Sequence, residues 1–146
     1  MAISPLSAAR TMCEVRDWQI SNLELQKLLY IAEMAALGRS NGAEPLVTDV
    51  FQAWDYGPVL PSVYHRAKAF GDKHVPDVFH IADLAVGRDR NIIEQVAKNF
   101  EGYSAAELVD ITHWDRGAWA SHYIPGVKGI VIPRADILRE YRERIG

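Results

Sequence analysis

The chain of 146 residues carries a formal net charge of −3, and hydrophobic residues make up 49% of it. This length and composition predict one globular domain whose core needs no metal or disulfide, and the acidic balance argues against extensive nonspecific contact with nucleic acid. The one cysteine, Cys13, excludes an internal disulfide and is expected to be a small core residue.

The first predicted helix covers about residues 5–17. Ser4 can act as its N-cap, and Pro5 suits the first helical position because no intrahelical hydrogen bond is lost there. The helical face is weak, and we expect the segment to end near Trp18.

The clearest local signal predicts a second helix over residues 22–37. Ser21 is its N-cap, and Glu24, three residues later, completes a capping box. The apolar residues at helical spacing are Leu25, Leu28, Leu29, Ala32 and Ala36. We expect this stripe to face the core and Gly38 to end the helix.

The same two helices could form a helix-turn-helix that binds DNA. The second helix would then place outward Asn22, Glu24, Gln26, Lys27, Tyr30 and Glu33. Two carboxylates in this set suit a DNA groove poorly because the phosphates that flank the groove are negatively charged. The pattern therefore favours helix packing, and a DNA-binding regulator remains the alternative function.

The stretch AWDYGPVLPSVYHRA, residues 53–67, combines aromatic residues with turn residues. Before it, residues 44–54 fit neither the helical nor the strand period, so either a short strand or a short helix is compatible with them. The residues predicted to shape a rigid loop are Gly57, Pro58 and Pro61. A helix can follow over residues 61–70, and Gly71 can close it.

The second half of the chain predicts two further helices and a strand. After a long connection at 72–87, which has room for one short element, residues 89–100 show apolar residues at helical spacing. Ser104 and Glu107 repeat the capping-box signal at the start of the next helix. The β-branched run at 126–133 predicts a short strand.

The last predicted helix covers residues 134–145. The residues expected to face inward are Ile137, Leu138, Tyr141 and Ile145. Glu140 and Arg144 lie at i, i+4 and can form a pair worth ~0.3 kcal/mol. Together, the elements predict a mainly α, compact single-domain fold over residues 1–146 with one or two short β-strands, and Leu25, Leu28, Leu29 and Trp54 are expected in its core.

No motif predicts a catalytic or metal site. The histidines form no HExxH motif, and Asp110, His113 and Asp115 lack the supporting cysteines or histidines of a metal site. Neither a GxSxG elbow nor a phosphate loop is present. A pair of Cys13 and a histidine would require the fold to bring them together. We therefore expect no metal, no cofactor and no enzyme, with an unrecognised hydrolase as the least favoured alternative.

Three segments in order resemble one family. They are ISNLELQKLLYIAEMAAL, FQAWDYGPVLPSVYHRAKAFG and YSAAELVDITHWDRGAW, and together they span about residues 20–119. They are similar to the motifs of the Panacea domain, also described as the phage-associated or SocA-like antitoxin domain. Ser21 replaces the usual Thr and keeps the capping hydroxyl, whereas Ala118 replaces a common Pro.

The resemblance implies an antitoxin that neutralises a cognate protein toxin by direct contact. It also implies a second route, in which the antitoxin acts as a proteolysis adaptor and delivers the toxin to an AAA+ protease. The domain is expected to stand without an added DNA-binding domain, so direct nucleic-acid binding is not expected. The absence of a signal-peptide pattern and of an apolar run of ~18 residues predicts a cytoplasmic protein with no membrane partner.

The family-matching positions supply the candidate site residues. Those predicted to bind the partner are Gln26, Lys27, Tyr30, Tyr56, Tyr64, His113 and Trp119. Gln26, Lys27, Tyr56 and His113 are polar enough either to organise a buried network or to meet the partner. We hypothesise that Tyr56 and the start of the helix after it lie beside the toxin-binding face, because a preorganised loop loses less entropy on binding.

Overall fold

The computed structural model describes residues 2–82 and 86–146. In chain order its elements are α1 (Pro5–Val15), α2 (Asn22–Arg39), β1 (Gln52–Trp54), β2 (Gly57–Val59), α3 (Pro61–Ala67) followed by a 3₁₀ turn (Lys68–Phe70), α4 (Arg88–Asn99), α5 (Ala105–Thr112), α6 (Ala118–His122) and α7 (Arg134–Ile145). The two strands pair antiparallel as a hairpin, with Trp54 opposite Gly57. The predicted mainly α fold with short strands is confirmed.

Helix α2 lies at the centre of the fold. It packs against α1, α3, α4, α5 and α7. The predicted apolar stripe has no exposed surface at any of its positions, which are Leu25, Leu28, Leu29, Ala32 and Ala36. Cys13 in α1 is also fully buried, as expected for a small core residue.

Side-chain caps begin three of the helices, as the sequence predicts. The Ser4 hydroxyl accepts a hydrogen bond from Leu6 N. Ser21 and Glu24 form the capping box of α2 through bonds of 3.2 and 2.9 Å. The same reciprocal pair of bonds begins α5. These caps fix where the helices start because they satisfy backbone N–H groups that lack an intrahelical acceptor.

The prediction that Gly38 ends α2 is wrong. The helix continues to Arg39, and Gly38 lies in its last turn. A Cβ atom at Gly38 would overlap the ring of Tyr141 in α7. Glycine at this position therefore allows α7 to approach α2 closely.

The outward placement of the polar residues of α2 is also wrong. Only Glu24 keeps appreciable exposure; the others are buried, namely Asn22, Gln26, Lys27, Tyr30 and Glu33. These polar residues can lie inside because they have hydrogen-bond partners. The Glu33 carboxylate, for example, accepts from Leu46 N and Val47 N at 3.0 and 3.1 Å, and Asn22 Oδ1 accepts from Gln26 within the helix. Buried polar groups require such partners. The polar residues that would have to enter a DNA groove are therefore, apart from Glu24, not presented to solvent.

The predicted strand at 126–133 is reduced to one bridge. Val131 pairs with Gln52, and the backbone hydrogen bonds on either side join the segment to β1. Gly126 and Gly129, both at positive φ, interrupt the extended backbone. The segment therefore borders the hairpin without forming a regular strand.

Two expectations for α7 need correction. Ile145 was expected inside but is 70% exposed at the end of the helix. The predicted pair of Glu140 and Arg144 forms at 2.8 Å, but Glu140 is fully buried, so the pair is not a surface contact.

The expected core position of Trp54 holds only in part, because its ring is half-buried.

The long connection at 72–87 is irregular where it is described. His74 forms a bridge with Ser21, and Val75 N donates to the carbonyl of Ile20 at 2.9 Å. The predicted short element falls in part on residues 83–85, which lie outside the described residues. Among the described helices, none has the length and apolar character needed to cross a membrane.

Candidate functional site

The β1–β2 hairpin presents one large aromatic side chain to solvent. Tyr56 occupies the tip of the turn and is 71% exposed. Gly57 follows with φ +113°, a conformation that L side chains rarely adopt. A Cβ atom at Gly57 would lie 2.9 Å from Lys27 Nζ and 3.2 Å from His113 Nε2. The backbone at Gly57 therefore passes directly over the buried amine of Lys27 and the half-buried ring of His113.

Two side chains of α2 hold the hairpin from beneath. The amide oxygen of Gln26 accepts from Leu60 N at 2.8 Å, and Lys27 Nζ donates to the carbonyl of Pro58 at 3.1 Å. Gln26 is fixed in turn by a 3.3 Å bond from its Nε2 to Asn22 Oδ1. The strand after Tyr56 is therefore tied to the central helix by side chains that are themselves buried.

Lys27 is a buried amine that forms no ion pair with a carboxylate of the described residues. It has no exposed surface, and burial lowers the pKa of Lys27 from about 10.5 to about 7. Desolvation penalises the ammonium, and the single Pro58 carbonyl compensates only in part. The amine therefore changes its charge near neutral pH.

An aromatic stack supports the other side of the hairpin. The His113 ring lies 3.8 Å from that of Trp119 at an angle of 2°, and Trp119 stacks on Tyr123 at 4.5 Å. Trp119 Nε1 donates to the Trp54 carbonyl at 2.7 Å, which ties the stack to β1. Burial, followed by the nearby charge of Lys27, lowers the pKa of His113. Its Nε2 atom is buried without a hydrogen-bond partner among the described residues.

Tyr30 lies deeper, away from the hairpin. Its hydroxyl donates to Glu140 Oε1 at 2.7 Å, and the same oxygen accepts from Ala118 N at 3.0 Å. Burial and the adjacent carboxylate raise the pKa of Tyr30 above its usual value. Tyr30 therefore joins α2, α6 and α7 through one carboxylate.

A groove of about 450 Å³ runs beside the hairpin, and we call it the hairpin groove. Its aromatic lining consists of Trp54, Tyr56 and Tyr64. The Tyr64 ring meets that of Trp54 edge to face at 4.8 Å. The charged residues that line it are Lys27, Asp55, Lys68, Asp72 and Lys128.

The seven predicted partner-binding residues therefore occupy three different environments. Gln26, Lys27, Tyr30 and Trp119 are buried, Tyr64 and His113 are half-buried, and Tyr56 is exposed. The structure brings Gln26, Lys27, His113 and Trp119 together under the hairpin, and Tyr64 into the groove beside it. Partner contact by any of them remains a prediction.

Sequence reasoning missed the contributions of Lys128 and Tyr123. Lys128 Nζ lies 4.6 Å from the centre of the Trp54 ring, and the Tyr123 hydroxyl donates to Asp55 at 2.7 Å. Both belong to the C-terminal third and meet the hairpin only through the fold. The bridge between Val131 and Gln52 brings the segment of Lys128 to the hairpin, and the bond from Trp119 to Trp54 brings the end of α6, which carries Tyr123. No local pattern in the sequence signals either contact.

The described residues provide no arrangement suited to a metal ion. No group of three or more His, Cys, Asp or Glu side chains in residues 2–82 and 86–146 is placed to hold one. Burial, followed by the charge of Asp77, raises the pKa of the Cys13 thiol to about 12. A thiol in that state is a poor nucleophile because the thiolate is the reactive form.

Comparison with known proteins gives two matches. The chain is 38% identical over 114 residues to "Antitoxin SocA" of Caulobacter vibrioides (strain NA1000 / CB15N). The aligned region covers 70% of this chain and 60% of that protein. The chain thus spans about 60% of the length of the curated relative it matches. No solved structure matches significantly. The family model for the Antitoxin SocA-like, Panacea domain matches residues 25–120. The chain therefore belongs to the Antitoxin SocA-like, Panacea domain family.

Proposed function

We propose that this protein is an antitoxin that neutralises a cognate protein toxin by direct binding, through the surface around the hairpin. Family membership supports the antitoxin role. The observation that carries the choice of surface is Tyr56, which is 71% exposed on a hairpin that the buried side chains of Gln26 and Lys27 hold from beneath. Exposed aromatic side chains on a rigid support are typical anchors of protein interfaces.

The chemistry of the site favours binding over turnover. The polar side chains beneath the hairpin bond to backbone groups of their own chain: Gln26 to Leu60 N, and Lys27 to the Pro58 carbonyl. A catalytic group must reach a reacting atom of the substrate, whereas these side chains are covered. The exposed part of the site combines the aromatic ring of Tyr56 with charged side chains such as Asp55 and Lys128, which suits contact with another protein.

Co-expression with the product of the neighbouring gene tests the proposal. Growth is measured with the neighbour alone and with both proteins, and co-purification is measured with this protein tagged. We expect growth arrest with the neighbour alone, rescue by this protein, and recovery of both proteins at a fixed ratio. A neighbour that is harmless and does not co-purify would overturn the proposal.

A pair of tyrosine variants tests the surface. Tyr56→Ala should weaken the toxin complex by about 30-fold, the effect of losing an interface anchor, and should leave the unfolding midpoint unchanged. Tyr103→Ala is the control, because Tyr103 is a partly exposed tyrosine that packs on Phe100, in another part of the chain. Equal toxin affinities for the two variants would remove the hairpin from the interface.

Neutralisation could also include delivery of the toxin to an AAA+ protease, as an adaptor would do. Toxin half-life after translation arrest, with and without this protein, separates the two routes. A half-life that falls in its presence supports delivery. A toxin that is unchanged in half-life but inactive in the complex supports steric block.

A further inference from the structure

A cation from the chain itself occupies the aromatic part of the hairpin groove. Lys128 Nζ lies 4.6 Å from the centre of the Trp54 ring, within the range of a cation–π contact. Tyr64 packs edge to face on the same ring, and Tyr56 lines the groove. The Trp54 ring presents its negative face to this positive charge.

The charges that line the groove also favour a cation. Asp55 and Asp72 supply two carboxylates. They are opposed by Lys68 and by Lys27, whose amine loses its charge as the pH rises through about 7 because burial lowers its pKa. If the Lys128 side chain moves out of the groove above that pH, the two carboxylates outweigh the remaining positive charge of the lining.

Lys128 is weakly held in its position. Among the described residues it takes part in no ion pair, so its ammonium is fixed by the Trp54 ring alone. It is exposed, and the glycines on either side, Gly126 and Gly129, have open space around them. An exposed cation–π contact contributes only ~0.5–1 kcal/mol, so another cation can replace it at small cost.

We propose that the hairpin groove receives a cationic side chain of the partner toxin, which takes the place of Lys128 on the Trp54 ring. Arginine fits this position better than lysine because its planar guanidinium stacks on aromatic faces and is more weakly hydrated. The identity of the partner rests on the proposed function; the preference of the groove for a cation does not.

The groove is tested first with a small probe. Nα-acetyl-arginine amide is titrated into the uniformly ¹⁵N-labelled protein, and the Trp54 indole N–H signal is followed by NMR. Nα-acetyl-citrulline amide, which has nearly the same shape and no charge, is the matched probe. We expect the arginine probe to shift the Trp54 signal at millimolar concentration and the citrulline probe to leave it unchanged. Equal shifts with the two probes would overturn the inference.

Two charge-removing variants then separate displacement from general electrostatics. Lys128→Met should bind the arginine probe about 2- to 5-fold more tightly, the fold-change equivalent to an exposed cation–π contact. Lys68→Met removes the same charge from the groove but not from the Trp54 ring, and it should have a smaller effect that salt abolishes. Identical affinities for these variants at high salt would contradict displacement of Lys128.

The toxin complex provides the second readout. Trp54→Phe keeps an aromatic ring with a weaker negative face and should weaken the complex, whereas Lys128→Met should bind the toxin at least as tightly as the wild type. A toxin that binds the wild type but loses affinity with Lys128→Met would overturn the inference and leave the antitoxin function intact. A neighbouring gene product that does not bind at all would overturn the antitoxin function, and the probe titration would still decide the chemistry of the groove.

Discussion

Lys27 donates to the carbonyl of Pro58 from a position with no exposed surface. Gln26, the residue before it, bonds to Leu60 N. Two consecutive side chains of α2 therefore satisfy the backbone on both sides of Val59. This arrangement explains why the central helix carries a buried lysine and a buried glutamine. They replace the strand partner that β2 lacks on that edge.

The low pKa of Lys27 predicts how stability depends on pH. In the unfolded chain the amine titrates near its ordinary value of ~10.4, whereas in the folded protein its pKa is about 7. Between these values the unfolded state binds more protons, so the free energy of unfolding rises with pH, by at most ~1.4 kcal/mol per unit. Urea denaturation at pH 7.0, 7.5, 8.0 and 8.5 measures this slope.

The variant Lys27→Met should remove that slope. It loses the hydrogen bond to Pro58, which lowers stability equally at every pH in this range. Lys68→Met, at an exposed lysine of the same groove, is the control and should keep the wild-type slope. Cys13 has a raised pKa, which makes the free energy of unfolding fall as the pH rises. All three proteins contain Cys13, so its contribution to the slope cancels when they are compared. If the free energy of unfolding changed with pH by the same amount in the wild type and in Lys27→Met, the slope could not be assigned to Lys27.

Tyr30→Phe should destabilise the fold without changing toxin affinity. The substitution removes one donor from Glu140, a carboxylate with no exposed surface, and leaves the ring of residue 30 against Phe51. Loss of a bond to a buried charged group costs ~1–3 kcal/mol. Tyr141→Phe serves as the control because no hydrogen bond to the Tyr141 hydroxyl is described. Weaker toxin binding by folded Tyr30→Phe would instead place Tyr30 in the interface.

Gly38→Ala should destabilise the protein although alanine is the better helix former. Helix propensity favours alanine by ~1 kcal/mol, but the added methyl would overlap the Tyr141 ring. Forcing such an overlap costs ~1–3 kcal/mol. In a Tyr141→Ala background the overlap disappears, and Gly38→Ala should become stabilising. Equal effects of Gly38→Ala in the two backgrounds, measured by denaturation, would exclude the contact as its cause.

The sequence predicted those parts of the fold that local chemistry determines. Capping boxes at Ser21 and Ser104 and the apolar spacing of α2 locate helices because their bonds and faces lie within a few residues. The failures at Gly38 and Glu140 have the opposite origin. Each depends on α7 lying against α2, a contact between segments about 100 residues apart. Local patterns contain no information about such an approach.

The candidate site shows the same division. The density of turn residues around Gly57 identified the hairpin as a built loop, and Tyr56 as its most prominent side chain. The helical pattern alone assigns Gln26 and Lys27 to the solvent side, and the sequence left a buried network and contact with the partner as open alternatives for them. These residues lie inside because the hairpin covers the part of α2 that carries them.

Gly57→Ala should affect stability and toxin binding together. Position 57 has φ +113°, and the added methyl would lie 2.9 Å from Lys27 Nζ and 3.2 Å from His113 Nε2. Backbone strain of this kind costs ~1–3 kcal/mol, and relief of the contacts would lift the hairpin and move Tyr56.

The matched control is Gly102→Ala, at φ +85° with no atom within 4 Å of the new methyl. It carries comparable backbone strain and leaves the hairpin in place. Denaturation curves and toxin affinity are measured for both variants. We expect both to be destabilised and only Gly57→Ala to lose toxin affinity, because only there does the methyl displace the surface that carries Tyr56. If both variants kept wild-type affinity, the toxin would not depend on the position of the hairpin.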